Sequence, residues 1–327
     1  MTRSISLRIA VALLAMCSIA ASTTRPASTA GPDTVKLGRA VATAFVFVIP
    51  EIGADAHIWD SVGIKVAVTS FNGDGKLQDG LTSGAVDIGL GSGPAMGYHA
   101  KGVPATAVAA MYGAPYDMAL IVGTQGTVKN VNDLKGKKVG VTTAGSLTDW
   151  LVRQMSIKAG WGPDGIDSLP MGATQTRIAA LQSGQIAGTV QDIGIGYQLE
   201  AEGKGKVFQT FGNTVSKFYT HVIFARDDMI AKNPDVLARF LKGWFKTVAY
   251  MKTHKAETVK SAAPVLGESE AVVSRLYDAA MPGLSTNGAW DVASIEAVRK
   301  SLVELGISDT LPPLDSMYTG KFVPVKI

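Results

Sequence analysis

Between Thr34 and Ala225, short β-branched runs alternate with segments of helical period, and this alternation restricts the fold more than any other feature. Strands are expected over Val35–Leu37, Ile64–Thr69, Val86–Leu90, Thr106–Met111, Met118–Val122, Val139–Val141, Ile166–Leu169, Ile186–Val190 and His221–Ala225. Helical segments fall between them at Lys76–Ser83, Ala95–Lys101, Thr148–Ala159 and Thr174–Gln182. Such a pattern builds α/β units on mainly parallel sheets. Beyond it the chain turns helical over Pro234–Thr253, Ala256–Val265, Glu268–Ala280 and Asp291–Leu305, until Pro312-Pro313 ends regular structure.

The α/β part contains an echo of itself. Leu81-Thr82-Ser83-Gly84-Ala85-Val86 recurs 100 residues later as Leu181-Gln182-Ser183-Gly184-Gln185-Ile186. Each copy reads as a helix end, a glycine cap and a strand start, and glycine suits that cap because it tolerates the left-handed conformation. Two lobes of similar plan would produce this echo, although common helix–turn–strand grammar can mimic it. A length of 327 residues allows about two domains, and a 46% hydrophobic composition is enough to build cores.

Residues 1–30 read as a secretory signal peptide. Arg3 and Arg8 precede an apolar run, Ile9–Ala21, of 13 residues, too short for the ~20 that span a bilayer. Ala20/Ser22 and Ser28/Ala30 offer small-residue cleavage patterns. Cys17, the single cysteine, lies inside this leader, so a processed chain has no disulfide. A lipid on Cys17 is the alternative, but Met16 fits a lipoprotein box poorly. The expected location is the periplasm. Three of the 31 basic residues lie in the leader, leaving 28 against 27 acids. No clustered basic face remains, which argues against nucleic acid.

Several loops could hold a ligand, each with a plainer reading beside it. Gly89-Leu90-Gly91-Ser92-Gly93 follows a strand, but its spacing departs from a dinucleotide loop and no acid lies ~20 residues on. It is read as a tight turn bringing backbone N–H groups, Ser92 and Gly93 to a cleft. Thr142–Ser146 sits before a helix whose start can receive an anion or carbonyl, so Thr143, Gly145 and Ser146 are candidates. Helix capping by Ser146 or Thr148 is compatible with this. The same logic nominates Asn72 and Gln175. Arg39, just past the first strand, could clamp an anion or be a solvated loop arginine. Phe45 or Phe47 could stack on a ligand or seal a lobe, and Tyr116 is better placed than Tyr112 to face the cleft. His57, His99, His221 and His254 are isolated, which speaks against a metal site. Neither a serine-nucleophile elbow nor a phosphate-binding loop is present. No cofactor and no catalysis are expected.

Leu81–Gly89 followed by Gly102-Val103-Pro104 resembles the "L-x-x-G-x-x-D-[IV]-[GA] … G-x-P" stretch of ABC-transporter substrate-binding proteins of the nitrate/sulfonate/taurine type. Val131–Val141 is similar to their "L-x-D-L-K-G-K-x-V" signature, and Gly145-Ser146 and Ala159-Gly160-Trp161 follow at matching spacing. The resemblance spans roughly residues 34–310. It implies a two-lobed periplasmic-binding-protein-like α/β fold with two crossover strands as hinge, Met118–Val122 going out and Tyr219–Ala225 returning. Lobe 1 would then be 31–116 and 225–327, and lobe 2 would be 117–224. Where the family carries G-x-[IV]-D-A, this chain reads Gly184-Gln185-Ile186-Ala187-Gly188, so contacts in the second lobe are placed near Gln191 and Asp192. The implied protein is a monomer that passes a small solute to ABC permease subunits. With no dense basic cluster for nitrate, the solute is expected to be organic and anionic, met by Arg39. An exported ligand sensor and an enzyme on the same scaffold are the alternatives.

Overall fold

A computed structural model describes residues 31–327 except Thr127 and Asn213. The leader and Cys17 therefore lie outside the described residues. The chain begins with β1 (Asp33–Arg39), β2 (Ile64–Ser70), β3 (Ile88–Ser92) and β4 (Ala105–Tyr112), with α1 (Ile49–Asp55) and α2 (Asp74–Ser83) between them. It crosses to β5 (Met118–Gly123), β6 (Lys138–Val141), β7 (Asp167–Pro170), β8 (Gly188–Asp192) and β9 (Gly205–Thr210), accompanied by α3 (Leu147–Lys158), α4 (Thr174–Gln182) and α5 (Ile193–Ala201). It returns as β10 (His221–Arg226) and ends in α6 (Asp227–Lys232), α7 (Pro234–Thr253), α8 (Lys255–Leu266), α9 (Glu270–Ala280) and α10 (Val292–Glu304).

Two five-stranded sheets result, ordered β2-β1-β3-β10-β4 and β7-β6-β8-β5-β9. In the first, β1 pairs in parallel with β2 and β3, while β10 runs antiparallel between β3 and β4. The second repeats the plan, with β6 parallel to β7 and β8, and β5 antiparallel between β8 and β9. The lobes are thus copies of one unit, each completed by a single reversed strand. The echo marks equivalent points in the two units. Gly84 and Gly184 end α2 and the α4 turn with φ of +74° and +75°, a conformation glycine adopts without the Cβ penalty.

Strands and helices differ from the sequence reading in instructive ways. Val86 and Ile186 were expected to open strands, yet β3 and β8 begin two residues later. Both side chains are buried beneath the preceding helix, so the apolar pattern starts before the pairing does. Helix α9 starts at Glu270 rather than Glu268, because the Ser269 hydroxyl accepts the Val272 N–H and caps it. Helices α1 and α5 and strand β9 were not anticipated. α5 carries Gly194 and Gly196, poor helix formers that close packing requires: a Cβ on Gly196 would meet Val207 Cγ2 of β9 at 2.5 Å, and one on Gly194 would meet Leu276 Cδ2 of α9 at 2.5 Å. The C-terminal helices cover the first sheet, where Trp59 stacks on Phe240 of α7 with centroids 5.3 Å apart. The returning strand pairs wholly within the first sheet, so the crossings themselves are the stretches 113–117 and 211–220. Among the described residues no helix is long and apolar enough to cross a membrane.

Candidate functional site

The carboxyl ends of the central strands of the two sheets face one another, and a cavity of about 50 Å³ lies between them. This is where open α/β sheets place ligands. The first lobe contributes Phe47, Asp74, Ser92 and His221. From the second come Thr142, Thr148, Thr174, Arg177, Gln191 and Asp192. The lobes touch around this chamber. Thr43 and Thr174 hydroxyls are 3.1 Å apart, and on the outside Glu304 of α10 accepts from Trp150 Nε1 (2.7 Å) and Gln154 Nε2 (2.6 Å) of α3. Gly73 meets the other lobe so closely that a Cβ would lie 2.8 Å from Thr143 Cγ2, and its φ of +112° already favours glycine.

The chemistry of the two walls follows from what is satisfied and what is not. Asp74, the first residue of α2, accepts the Ser92 N–H at 2.9 Å and the Ser92 hydroxyl at 2.7 Å. Burial raises its carboxyl, against the lowering effect of those two bonds and of His221. His221 Nε2 lies 3.1 Å from Asp117 Oδ2, and the Phe47 ring packs edge-on against the imidazole at 4.9 Å. Across the chamber Arg177 is 2% exposed and has no carboxylate partner among the described residues. Its Nε donates to the Gly172 carbonyl and its NH1 to Val190, at 3.2 and 2.7 Å, with a long contact from NH2 to Thr174. Burial draws the guanidinium down to about 9, which leaves it charged at neutral pH. Gln191 Nε2 and Asp192 Oδ2 are buried with no hydrogen-bond partner. Unsatisfied buried polar atoms cost ~1–3 kcal/mol each, so a partner supplied by a ligand is stabilising there.

Of the residues put forward from sequence, Phe47, Ser92, Gln191 and Asp192 line the cavity. Arg39 does not: its guanidinium is buried away from the cleft, donating to Ser70 Oγ (2.8 Å), Glu51 Oε1 (2.9 Å) and the Phe47 carbonyl (3.2 Å). It ties the end of β1 to β2 and α1. Phe45 is fully buried beneath Phe47's segment, edge-on to Tyr277, and Tyr116 lies 46% exposed at the outgoing crossing against Gly212. Asn72 and Gln175 are exposed, and Gly93 faces the Tyr219 carbonyl. Thr143 sits at the interlobe contact with Gly73. Gly145 and Ser146 are spent on α3: the Gly145 N–H donates to Asp149 Oδ2, and Ser146 Oγ accepts from Thr142 and the Asp149 N–H. Asp74 and Arg177, which carry charge there beside Asp192, were missed in the sequence. The repeat itself could have found Asp74, because 100 residues separate Asp74 from Thr174 and Ser92 from Asp192, and all four line the chamber.

Two sheets of this order, joined by two crossings with a cavity of mixed polar and apolar lining between them, define the periplasmic-binding-protein fold. The ligand-binding component of an ABC-type import system from Staphylococcus aureus, solved with zinc bound, superposes with a TM-score of 0.75 at 16% identity, over 90% of this chain and 99% of that one. The alkanesulfonate-binding protein SsuA from Xanthomonas axonopodis pv. citri, bound to MOPS, gives 0.73 at 18% identity over 87% and 96%. The periplasmic nitrate-binding protein NrtA from Synechocystis PCC 6803 gives 0.69 at 15% over 88% and 84%. No curated protein matches the sequence. Residues 59–258, more than half of the chain, match the model of the family described as NMT1/THI5 like, and the chain belongs to that family.

Proposed function

We propose that this chain is the exported solute-capturing component of an ABC-type importer, which encloses one small solute between its lobes and presents the closed form to a membrane permease. The observation that carries this reading is the chamber. It lies where the lobes meet, mixes apolar side chains (Ala44, Phe47, Met118, Leu147) with polar ones from both lobes, and includes Gln191 and Asp192 atoms with unfilled hydrogen-bonding capacity. At about 50 Å³ it is far smaller than the ~300–1,000 Å³ of pockets for drug-sized ligands. A solute of more than a few non-hydrogen atoms therefore enters only when the lobes part, and a hinge at 113–117 and 211–220 provides for that. Capture of this kind requires no bond to be made or broken.

The solute this site fits is organic and small, with an acidic or carbonyl group directed at Arg177 and Gln191. Hydrogen-bond donors on its other end would meet Asp192 and Asp74. Arg177 takes the part that the sequence reading gave to Arg39. A thermal-shift screen of small organic acids, sulfonates and amines tests the proposal, because a ligand that binds only the native state raises Tm by mass action. A hit lost in Arg177→Gln supports it. Hits that survive that substitution unchanged would refute the assigned site.

A further inference from the structure

Glu268 stands in the turn between α8 and α9, buried, with neither carboxylate oxygen hydrogen-bonded. It belongs to the first lobe's helices but faces the second lobe. The point a Cβ on Gly194 would occupy is 3.2 Å from Glu268 Oε1 and 3.1 Å from Asp192 Oδ1. Gly194 is the second residue of α5, and its N–H donates to Asp192 Oδ1 at 2.9 Å. Two carboxylates from opposite lobes are therefore brought together over one helix start when the cleft is shut. Asp117 adds a third from the outgoing crossing, its Oδ1 also without a partner.

We propose that closure of the cleft takes up a proton at the Glu268–Asp192 contact, so that the closed form of the empty protein is favoured in acid and lost as the medium becomes alkaline. This rests on the lobes moving apart, as the proposed function requires. The charged groups around the contact do not neutralise it. His221 of β10 is paired with Asp117, and Arg275 of α9 is paired with Glu200 at 2.9 Å and lies over the Tyr197 ring. On α8, Lys255 bonds Asp278 while Glu257 and Lys260 are exposed, as is Glu270 on α9. Tyr112 of β4 is buried, and its phenol is held up in its neutral form chiefly by that burial. Arg177 of α4 lines the same cavity as Asp192 but donates to Gly172, Val190 and Thr174, and among the described residues no lysine or arginine pairs with Glu268 or Asp192.

The sign follows from the two states. Burial raises Glu268 from 4.5 to about 7 in the closed form, and burial together with Asp117 and Glu268 holds Asp192 well above the usual carboxylate range, against the lowering effect of the Gly194 and Phe45 N–H groups. Parted lobes return these groups to water and to ordinary values. Closure is therefore unpenalised below the ordinary carboxylate range and loses ground as the pH rises from there through about 7. One proton allows at most about a tenfold change in the closure equilibrium per pH unit.

Small-angle scattering of the solute-free protein between about pH 5.5 and about pH 8 tests this. Thr43→Cys/Thr174→Cys, placed where the hydroxyls are 3.1 Å apart and oxidised, supplies a locked closed reference. We expect the wild type to match that reference in acid and to expand as the pH passes about 7. Glu268→Gln, and independently Asp192→Asn, should stay compact throughout, with far-ultraviolet circular dichroism confirming that each is folded. A wild type expanded equally at every pH overturns the proton link and leaves the hinge standing. A wild type that matches the locked reference at every pH overturns the link and counts against parting lobes as well. Variants that keep the wild-type pH response also overturn it.

Discussion

Arg39 and Arg177 are both buried arginines near the carboxyl edge of a sheet, and their partners separate their roles. Arg39 is matched by Glu51 and two further acceptors, so it holds β1, β2 and α1 together. Arg177 has only backbone carbonyls and a threonine, and it faces the chamber. A charge-assisted hydrogen bond is worth roughly 1.5–3 kcal/mol. Arg177→Gln should therefore weaken solute binding by about one to two decades in calorimetry, beyond the loss of stability that follows from its bonds to Gly172 and Val190. Arg39→Ala should do the reverse, lowering stability by about 1–3 kcal/mol in denaturant titration while affinity stays within about twofold. If Arg39→Ala proves the binding mutant, the division of labour drawn here is wrong. The sequence could not separate the two, because the difference lies in Glu51, twelve residues from Arg39 in sequence but folded back onto it.

At the scale of elements, the lobes meet most tightly at Gly73, which under the proposed closure would limit how far the cleft shuts. Gly73→Val places a methyl-bearing carbon 2.8 Å from Thr143 Cγ2 in a conformation that β-branched residues resist. It should leave each lobe folded but propped apart, with a larger radius of gyration when solute is present and affinity reduced by about tenfold or more. Thr143→Gly in the same chain should restore part of the loss, and failure of that rescue would mean the strain is local to α2. The elements framing this contact were the legible ones. Alternating β-branched runs marked most strands, and the glycine-capped echo marked the repeat, because both are local patterns tied to pairing and capping. Helix α5 was hidden, since Gly194 and Gly196 lower helix propensity and its stability comes from packing on β9 and α9. The charged site was hidden for a related reason. Asp74, Arg177, Asp192 and His221 are distant in sequence, and only the juxtaposition of the two sheets makes them neighbours.

For the molecule as a whole, the proposed motion of the lobes would have to pass through contacts at the rim. Trp150 of α3 stacks on Phe218 with centroids 4.3 Å apart and reaches Glu304 of α10 through its indole N–H. Parting of the lobes breaks the Glu304 bonds, so Glu304→Ala should shift the empty protein toward the open form and alter Trp150 emission. An unchanged spectrum and scattering profile would show that this bond lies outside the moving interface. Recovery of the protein from a periplasmic extract with an N-terminus between Ser22 and Gly31 is the expected sign of export, and a retained Met1 or a lipid on Cys17 would contradict it. The reversed strands also determine how such a chain can be made. All of the second sheet, β5 to β9, is encoded in one continuous stretch, whereas the first lacks its fourth-position strand until residues 221–226 have emerged. Without β10, β4 has no neighbour joining it to β3. The strands synthesised first, β1 to β4, thus wait for a strand made more than a hundred residues later before their sheet is complete.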